Sequence, residues 1–205
     1  MSQMAKKHLK KDNLRGYSAR KVETRELIER FLIVCEGEKT EPNYFNAFRV
    51  PKDVIDVRGL RFNPSKLVEK AQELRKQEDY DQVWCVFDRD AWTKEDFNYA
   101  ITKAKQEGID VAYSNEAFEL WYVLHFEFLN TGIPRSDYCK KLDKLLGYKY
   151  QKNSQKIYEE LENRQLTALK NAENLLKQYH QHNPESDNPS TTVHLLVGQL
   201  NRFIR

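Results

Sequence analysis

Short apolar runs alternate along this chain with segments of helical periodicity, and this alternation constrains the fold more than any other feature. Residues 31–35 (FLIVC) and 82–87 (QVWCVF) form continuous, largely apolar runs, which is typical of strands covered on both sides of a sheet. Two briefer strands are predicted at 54–57 and 110–113. Strands separated by helices in this way predict βαβ units with right-handed crossovers, and therefore a mostly parallel, Rossmann-like sheet flanked by helices.

The predicted helices between these strands begin at recognisable capping signals. Thr40 precedes Pro42, Asn63 precedes Pro64, and Thr93 precedes a helix that runs towards a glycine. Each signal follows a strand within a few residues. The intervening loops therefore lie at the carboxyl edge of the sheet.

The last third of the chain is predicted to be helical. Residues 117–129 (AFELWYVLHFEFL) are apolar on every side of a helix, so that helix is buried all round and its Glu119 is unusual there. Amphipathic stripes at 166–179 and 193–203 predict two further helices. The sequence Asn-Pro-Ser at 188–190 predicts the start of the last one.

This pattern and the distribution of charge divide the chain into three parts. Residues 1–30 hold nine Lys and Arg against four Asp and Glu, whereas the remaining residues carry a net charge of -2. We expect a basic, flexible N-terminal arm at 1–30, an α/β domain at 31–130 and a helical extension at 131–205 packed on that domain. The arm either tracks phosphates, since Lys and Arg bound to a polyanion release counterions, or only keeps the protein soluble.

The composition of the chain indicates in which cellular compartment we expect the protein. The chain of 205 residues has no run of roughly 18 apolar residues, so no membrane span is expected. Its first 30 residues lack the apolar core of a secretory signal, and its three cysteines form no Cys-x-x-Cys pair. We therefore expect a cytoplasmic protein without disulfides.

Acidic side chains follow two of the predicted strands. Glu36 comes directly after the first strand, and Asp88 and Asp90 come after the third. Ligands of open α/β sheets bind at the carboxyl ends of the strands, and converging carboxylates suit Mg²⁺ or Mn²⁺. These residues are thus candidate metal ligands and catalytic groups, the alternative being that Asp88 and Asp90 only cap the next helix or form an Asx-turn.

Basic residues beside these acids could contact phosphate. Lys39 could offset phosphate charge, and Arg89 is either a phosphate clamp or an ion-pair partner for the neighbouring aspartates. Glu38 could reach a second metal ion. The string Gly-Glu-Lys-Thr at 37–40 lacks the earlier glycine of a phosphate-binding loop, so no ATPase activity is expected from this chain.

The strand followed by Glu-Gly and the later strand followed by Asp-x-Asp resemble the Toprim fold of topoisomerases, primases and OLD-type nucleases. More specifically, the chain resembles the RloB-like family of bacterial defence proteins. The stretches that carry this resemblance are 34–45 (VCEGEKTEPNYF), 86–90 (VFDRD), 114–126 (SNEAFELWYVLHF) and 188–197 (NPSTTVHLLV). Family members often carry proline where this chain has Glu116.

The resemblance implies a Mg²⁺-dependent, nuclease-like Toprim centre. Glu36 would take the place of the Toprim glutamate, as metal ligand or general acid/base, and Asp88 and Asp90 would take the place of the metal-binding pair. Glu119 lies in a stretch typical of the family and would be a further metal ligand, unless an arginine or a backbone N–H satisfies it. Such proteins are often encoded beside an AAA-type ATPase in anti-phage loci.

Three functions are compatible with these sequence motifs to different degrees. A metal-dependent phosphodiesterase acting on DNA or RNA, with an ATPase partner, agrees with the intact set of carboxylates. A non-catalytic module that binds or senses nucleic acid is the alternative. A small-molecule phosphotransferase would place its Asp-x-Asp after the first strand, where this chain has Glu-Gly. The sequence leaves open whether the protein forms a homo-oligomer.

Overall fold

The computed structural model describes residues 29–89 and 92–204. The predicted N-terminal arm lies outside the described residues except for Glu29 and Arg30, and Asp90 also lies outside them.

The described part of the chain contains one five-stranded sheet with the order β2-β1-β3-β4-β5. The first four strands are parallel, and β5 pairs antiparallel with β4. This arrangement confirms the predicted α/β fold with a mostly parallel, Rossmann-like sheet. The strands are β1 (Phe31–Cys35), β2 (Ile55–Gly59), β3 (Gln82–Asp88), β4 (Asp110–Asn115) and β5 (Ser190–Thr191).

Helices cover both faces of the sheet. Those of the α/β domain are α1 (Thr40–Asn46), α2 (Pro64–Arg75), α3 (Lys94–Gln106) and α4 (Glu119–Leu124). The C-terminal part adds α5 (Arg135–Leu146), α6 (Ile157–Leu161), α7 (Gln165–Leu176) and α8 (Val193–Leu200), with two short 3-10 helices at Glu162–Arg164 and Asn201–Phe203. Within the described residues, none of these helices is long and apolar enough to cross a membrane.

The apolar residues of β1 explain why the sheet needs cover on both sides. Leu32 and Val34 pack into one core with α2 and α3. Phe31, Ile33 and Cys35 point to the opposite core, where α1, α4 and the C-terminal helices pack. The predicted helical extension therefore shares a hydrophobic core with the sheet.

The capping prediction for α3 is confirmed in atomic detail. The hydroxyl of Thr93 accepts a hydrogen bond from the backbone N–H of Asp96, at 3.2 Å. Because Thr93 caps α3, the alternative interpretation of Asp88 as the cap of that helix is wrong.

The structure differs from the prediction in the helix at 117–129 and in the segment 188–190. The buried helix is shorter than 117–129: it ends at Leu124, where the backbone N–H groups of His125 and Phe126 bond three residues back and tighten the chain into a turn. The predicted helix start at 188–190 is wrong as well. Residues Ser190–Thr191 instead pair with the edge of β4, where the Thr191 hydroxyl donates to the carbonyl of Tyr113 at 3.0 Å, and α8 begins only at Val193.

Candidate active site

The strand order creates a crevice between β1 and β3. The chain leaves β1 for β2 on one side and later returns to β3 on the other, so α1 and α3 diverge onto opposite faces of the sheet. Ligands of doubly wound sheets bind at such a switch point, outside the carboxyl ends of the strands. A cleft of about 320 Å³ opens here, and its lining includes Glu36, Glu41, Arg61, Asp88 and Arg135.

Glu36 is held between the ends of the two strands. Its Oε2 accepts from the backbone N–H of Asp88 at 3.1 Å, and its Oε1 accepts from the indole N–H of Trp92 at 2.8 Å. Burial raises the pKa of Glu36, and these two hydrogen bonds oppose that rise only in part. Glu36 is therefore an oriented carboxyl group with an increased affinity for a proton.

Asp88, the last residue of β3, is buried beside the same cleft. Burial holds the pKa of Asp88 well above its usual value, and the negative charges of Glu41, Glu36 and Glu119 raise it further. Arg135 acts in the opposite direction. The structure thus brings Glu36 and Asp88 together, as the sequence predicted.

Glu41 is a member of this group that the sequence analysis missed. It lies in the first turn of α1 and is buried, and its Oε2 makes no hydrogen bond within the described part of the chain. Burial, followed by the charges of Glu36 and Glu119, raises the pKa of Glu41 to about 7. The sequence did contain a signal for Glu41. A helix that begins at Thr40, a few residues after β1, places its first turn near the end of that strand.

Gly37 makes room for the carboxyl group of Glu41. A Cβ atom at position 37 would lie only 2.2 Å from Oε2 of Glu41. A side chain at position 37 would displace the carboxyl group of Glu41, so the glycine of the Glu-Gly pair admits a second acid beside the first.

Glu119 is the first residue of α4 and is almost completely buried. Its Oε1 lies 3.1 Å from the ammonium group of Lys152 but makes no hydrogen bond within the described residues. Its ion-pair partner is thus a lysine from a distant loop rather than the arginine that the sequence analysis considered. The loop is fastened to α1, since the carbonyls of Lys152 and Asn153 accept hydrogen bonds from Thr40 and Asn43 at 2.9 and 3.1 Å.

The other predicted contact residues lie around the cleft. Glu38 forms an exposed ion pair with Arg61, with 2.9 Å between Oε2 and Nε. Lys39 is exposed at the start of α1. The guanidinium of Arg89 donates to the carbonyl of Trp92 at 2.7 Å and lines a neighbouring pocket.

The acids of the cleft offer the oxygen donors that a divalent cation prefers. Among the residues that the structure describes, no group of three or more His, Cys, Asp or Glu side chains is arranged to hold a metal ion. Mg²⁺ needs only one or two carboxylates, because waters and substrate phosphates complete its shell. The cleft supplies such carboxylates from Glu36, Glu41 and Asp88. A cation bound there would also relieve the repulsion between negative charges that raises the pKa values of Glu41 and Asp88.

Comparison with known proteins places the chain in a family. It matches the family described as RloB-like protein over residues 31–200, which covers both the α/β domain and the C-terminal helices. No curated protein and no solved structure shows significant similarity to it. This match confirms the resemblance seen in the sequence, and the chain belongs to the RloB-like protein family.

Proposed function

We propose that this protein is a metal-dependent phosphodiesterase, a nuclease of the Toprim type that cuts DNA or RNA in bacterial anti-phage defence. One observation carries the proposal: Glu36, Glu41 and Asp88 surround one cleft at the switch point of the sheet, and the pKa of each is raised. Crowded acids destabilise a fold, and perturbed carboxyl groups in a cleft are typical of functional sites.

Asp88 and Glu41 are the residues that would hold Mg²⁺ or Mn²⁺, together with Asp90, which lies outside the described residues. When bound, such an ion neutralises charge that develops on a phosphate and makes a bound water more acidic. Glu119 is a further candidate ligand, although it is already paired with Lys152.

The chain itself supplies the proton transfer and part of the binding. Glu36 can hold a proton on its carboxyl group at a higher pH than an exposed glutamate, and its orientation is fixed by Asp88 and Trp92, so it suits a general acid/base. Arg61 and Arg135 line the cleft, where guanidinium groups can bind phosphate oxygens. We propose that Lys39 and Arg89 contact the nucleic acid on either side of the cleft.

Nuclease assays on the full chain test this proposal. Labelled single-stranded DNA, duplex DNA and RNA are incubated with Mg²⁺ or Mn²⁺, alone and with the proposed AAA-type ATPase partner. We expect Asp88→Asn and Glu36→Gln to lower cleavage by about 100-fold or more, because each removes a charge on which the centre depends. The matched control is Asp79→Asn, an exposed aspartate before β3 and therefore at the other edge of the sheet. Cleavage by Asp88→Asn at the rate of the control would contradict the proposal.

A second candidate function is a non-catalytic module that binds or senses nucleic acid. It is favoured by the lack of a three-donor metal group among residues 29–89 and 92–204 and by the pairing of Glu119 with Lys152. This function predicts binding of nucleic acid without cleavage and without any effect of divalent ions on stability.

A further inference from the structure

A second pocket, of about 440 Å³, opens next to the acidic cleft, at the carboxyl ends of β3 and β4. Unlike the cleft, it has amide side chains in its lining. The residues that line it are polar throughout: Arg89, Lys94, Asn115, Glu116, Glu185, Ser186 and Asn188.

The outer wall of this pocket, residues 184–189, is fixed by hydrogen bonds. Asn115 donates from its side chain to the carbonyl of Pro184 at 3.0 Å, and the hydroxyl of Tyr179 donates to the carbonyl of Pro189 at 2.9 Å. The hydroxyl of Ser190 donates to the carbonyl of Asp187 at 2.6 Å. These bonds hold the backbone of the wall, and of the side chains that line the pocket they use only that of Asn115. The pocket is therefore formed in advance, as small-molecule sites usually are.

The chemistry of the lining fits a nucleotide. Glu185 is engaged within the wall, since it accepts from Asn98 at 2.6 Å and lies 3.9 Å from the ammonium of Lys94. The amide side chain of Asn188 pairs a donor with an acceptor, as the edges of nucleobases do, whereas the amide of Asn115 already donates to the wall. Guanidinium and ammonium groups bind phosphate. The volume also lies in the range of about 300–1,000 Å³ that single small ligands occupy.

A chain of contacts joins this pocket to the cleft. Arg89 lines the pocket and donates to the carbonyl of Trp92, whose indole N–H donates to Glu36 in the cleft at 2.8 Å. Trp92 lines the cleft itself. Trp92 thus forms part of the acidic cleft and also holds the guanidinium group of Arg89 in the pocket. A strand with one phosphate in the cleft could place its next nucleotide in the pocket.

We propose that the pocket takes one unpaired nucleotide beside the phosphate in the acidic cleft, so that the substrate is single-stranded or locally opened nucleic acid. This inference rests on the proposed function for the identity of the polymer. A base that is stacked and paired in a duplex must leave its stack before it can enter a separate pocket.

The test measures binding without cleavage, in EDTA, by fluorescence anisotropy on the full chain. The probes are labelled oligo(dT), oligo(U) and a DNA duplex. Ser186→Trp fills the pocket from an exposed position, and Lys94→Ala removes an exposed cation at its rim. The control is Lys105→Ala, an exposed lysine near the other end of the same helix α3.

We expect both pocket variants to bind the single strands about tenfold more weakly than wild type, while the Lys105→Ala control does not change. Lys94→Ala should also lower the salt dependence of binding by about one counterion. Wild type should prefer the single strands to the duplex, and the DNA and RNA arms show which sugar it accepts. Equal binding by wild type and both pocket variants, or no binding of any single strand, would overturn the inference. Pocket-dependent binding without cleavage in the presence of Mg²⁺ would instead refute the nuclease proposal and leave the pocket in place.

Discussion

The carboxylate of Glu36 accepts a hydrogen bond from the backbone N–H of Asp88, with 3.1 Å between Oε2 and the nitrogen. This bond ties the ends of β1 and β3 together across the switch point. Since the donor belongs to the backbone, every residue except proline keeps it at position 88. A substitution at Asp88 therefore changes the charge of the cleft while Glu36 keeps its orientation.

Asp88→Asn should stabilise the protein in the absence of metal. Burial and three neighbouring carboxylates hold the pKa of Asp88 well above its usual value, so its ionised form opposes folding at neutral pH. Each kcal/mol gained should raise the melting temperature by about 2–4 °C in a domain of this size. Thermal scans in EDTA measure this effect.

The same variant should lose the stabilisation that divalent ions give to wild type. A ligand that binds the folded state raises the melting temperature, so Mg²⁺ or Mn²⁺ should stabilise wild type and the Asp79→Asn control. A melting temperature of wild type that neither ion moves would count against the metal centre. The sensing module would then be the better proposal.

The stability of the metal-free protein should depend on Glu41 as the pH rises. The pKa of Glu41 is raised to about 7, so the folded state binds more protons than the unfolded state between the ordinary glutamate pKa of 4.5 and that value. This contribution is fully present below pH 4.5 and is lost as the pH rises through about 7. Urea unfolding between about pH 5 and pH 8 should show it.

Glu41→Gln removes that contribution, together with the negative charge by which Glu41 raises the pKa of Asp88. His125 works in the opposite direction, because burial lowers its pKa to about 4 and acid therefore destabilises the fold through that ring. The difference between wild type and Glu41→Gln cancels the histidine. We expect this difference to grow with pH in favour of the variant. A difference that stays constant across the range would show that Glu41 titrates normally.

Periodicity was enough to predict most of the fold. Continuous apolar runs such as Phe31–Cys35 are buried on both faces, so they identify strands of a parallel sheet directly. The short strand Ser190–Thr191 could not be predicted in this way, because it has two residues and depends on pairing with β4 rather than on its own pattern. Its preceding Asn-Pro resembles a helix start just as well.

The acidic site was predictable only where its residues follow strands. Glu36 and Asp88 share one sheet edge, and the rule for parallel strands places them together. Lys152 reaches Glu119 from a loop more than one helix away in the chain, and no sequence pattern encodes that contact. Glu41 is an intermediate case, since its helix was predicted but the approach of its carboxyl group to Gly37 requires the packed loop.

Gly37→Ala should destabilise the fold by about 1–3 kcal/mol, a typical cost of overpacking. The new methyl group would lie 2.2 Å from the buried Oε2 of Glu41, so the carboxyl group must move. The cost should be smaller in a Glu41→Ala background, where the obstacle is gone. Urea unfolding of the four proteins in this cycle gives the coupling energy.

Gly198→Ala is the matched control for that substitution. Gly198 lies exposed in helix α8, and nothing lies within 4 Å of the position of its Cβ. Alanine there should stabilise the protein by about 0.5–1 kcal/mol, because glycine is costly inside a helix. If Gly37→Ala behaved like this control, the close approach between Gly37 and Glu41 would not exist in solution.

Lys152→Ala should destabilise the protein and reveal whether Glu119 is a metal ligand. The substitution leaves the buried Glu119 without its ammonium partner, at a cost of about 1–3 kcal/mol, nearer the lower value because the lysine side chain is 44% exposed. Lys149→Ala, an exposed neighbour in the same loop, is the control and should change little. If Glu119 is a metal ligand, a divalent ion can replace the missing charge, so Mg²⁺ should raise the melting temperature of Lys152→Ala more than that of wild type. Equal shifts in the two proteins would remove Glu119 from the metal centre and leave its pairing with Lys152 as a structural contact.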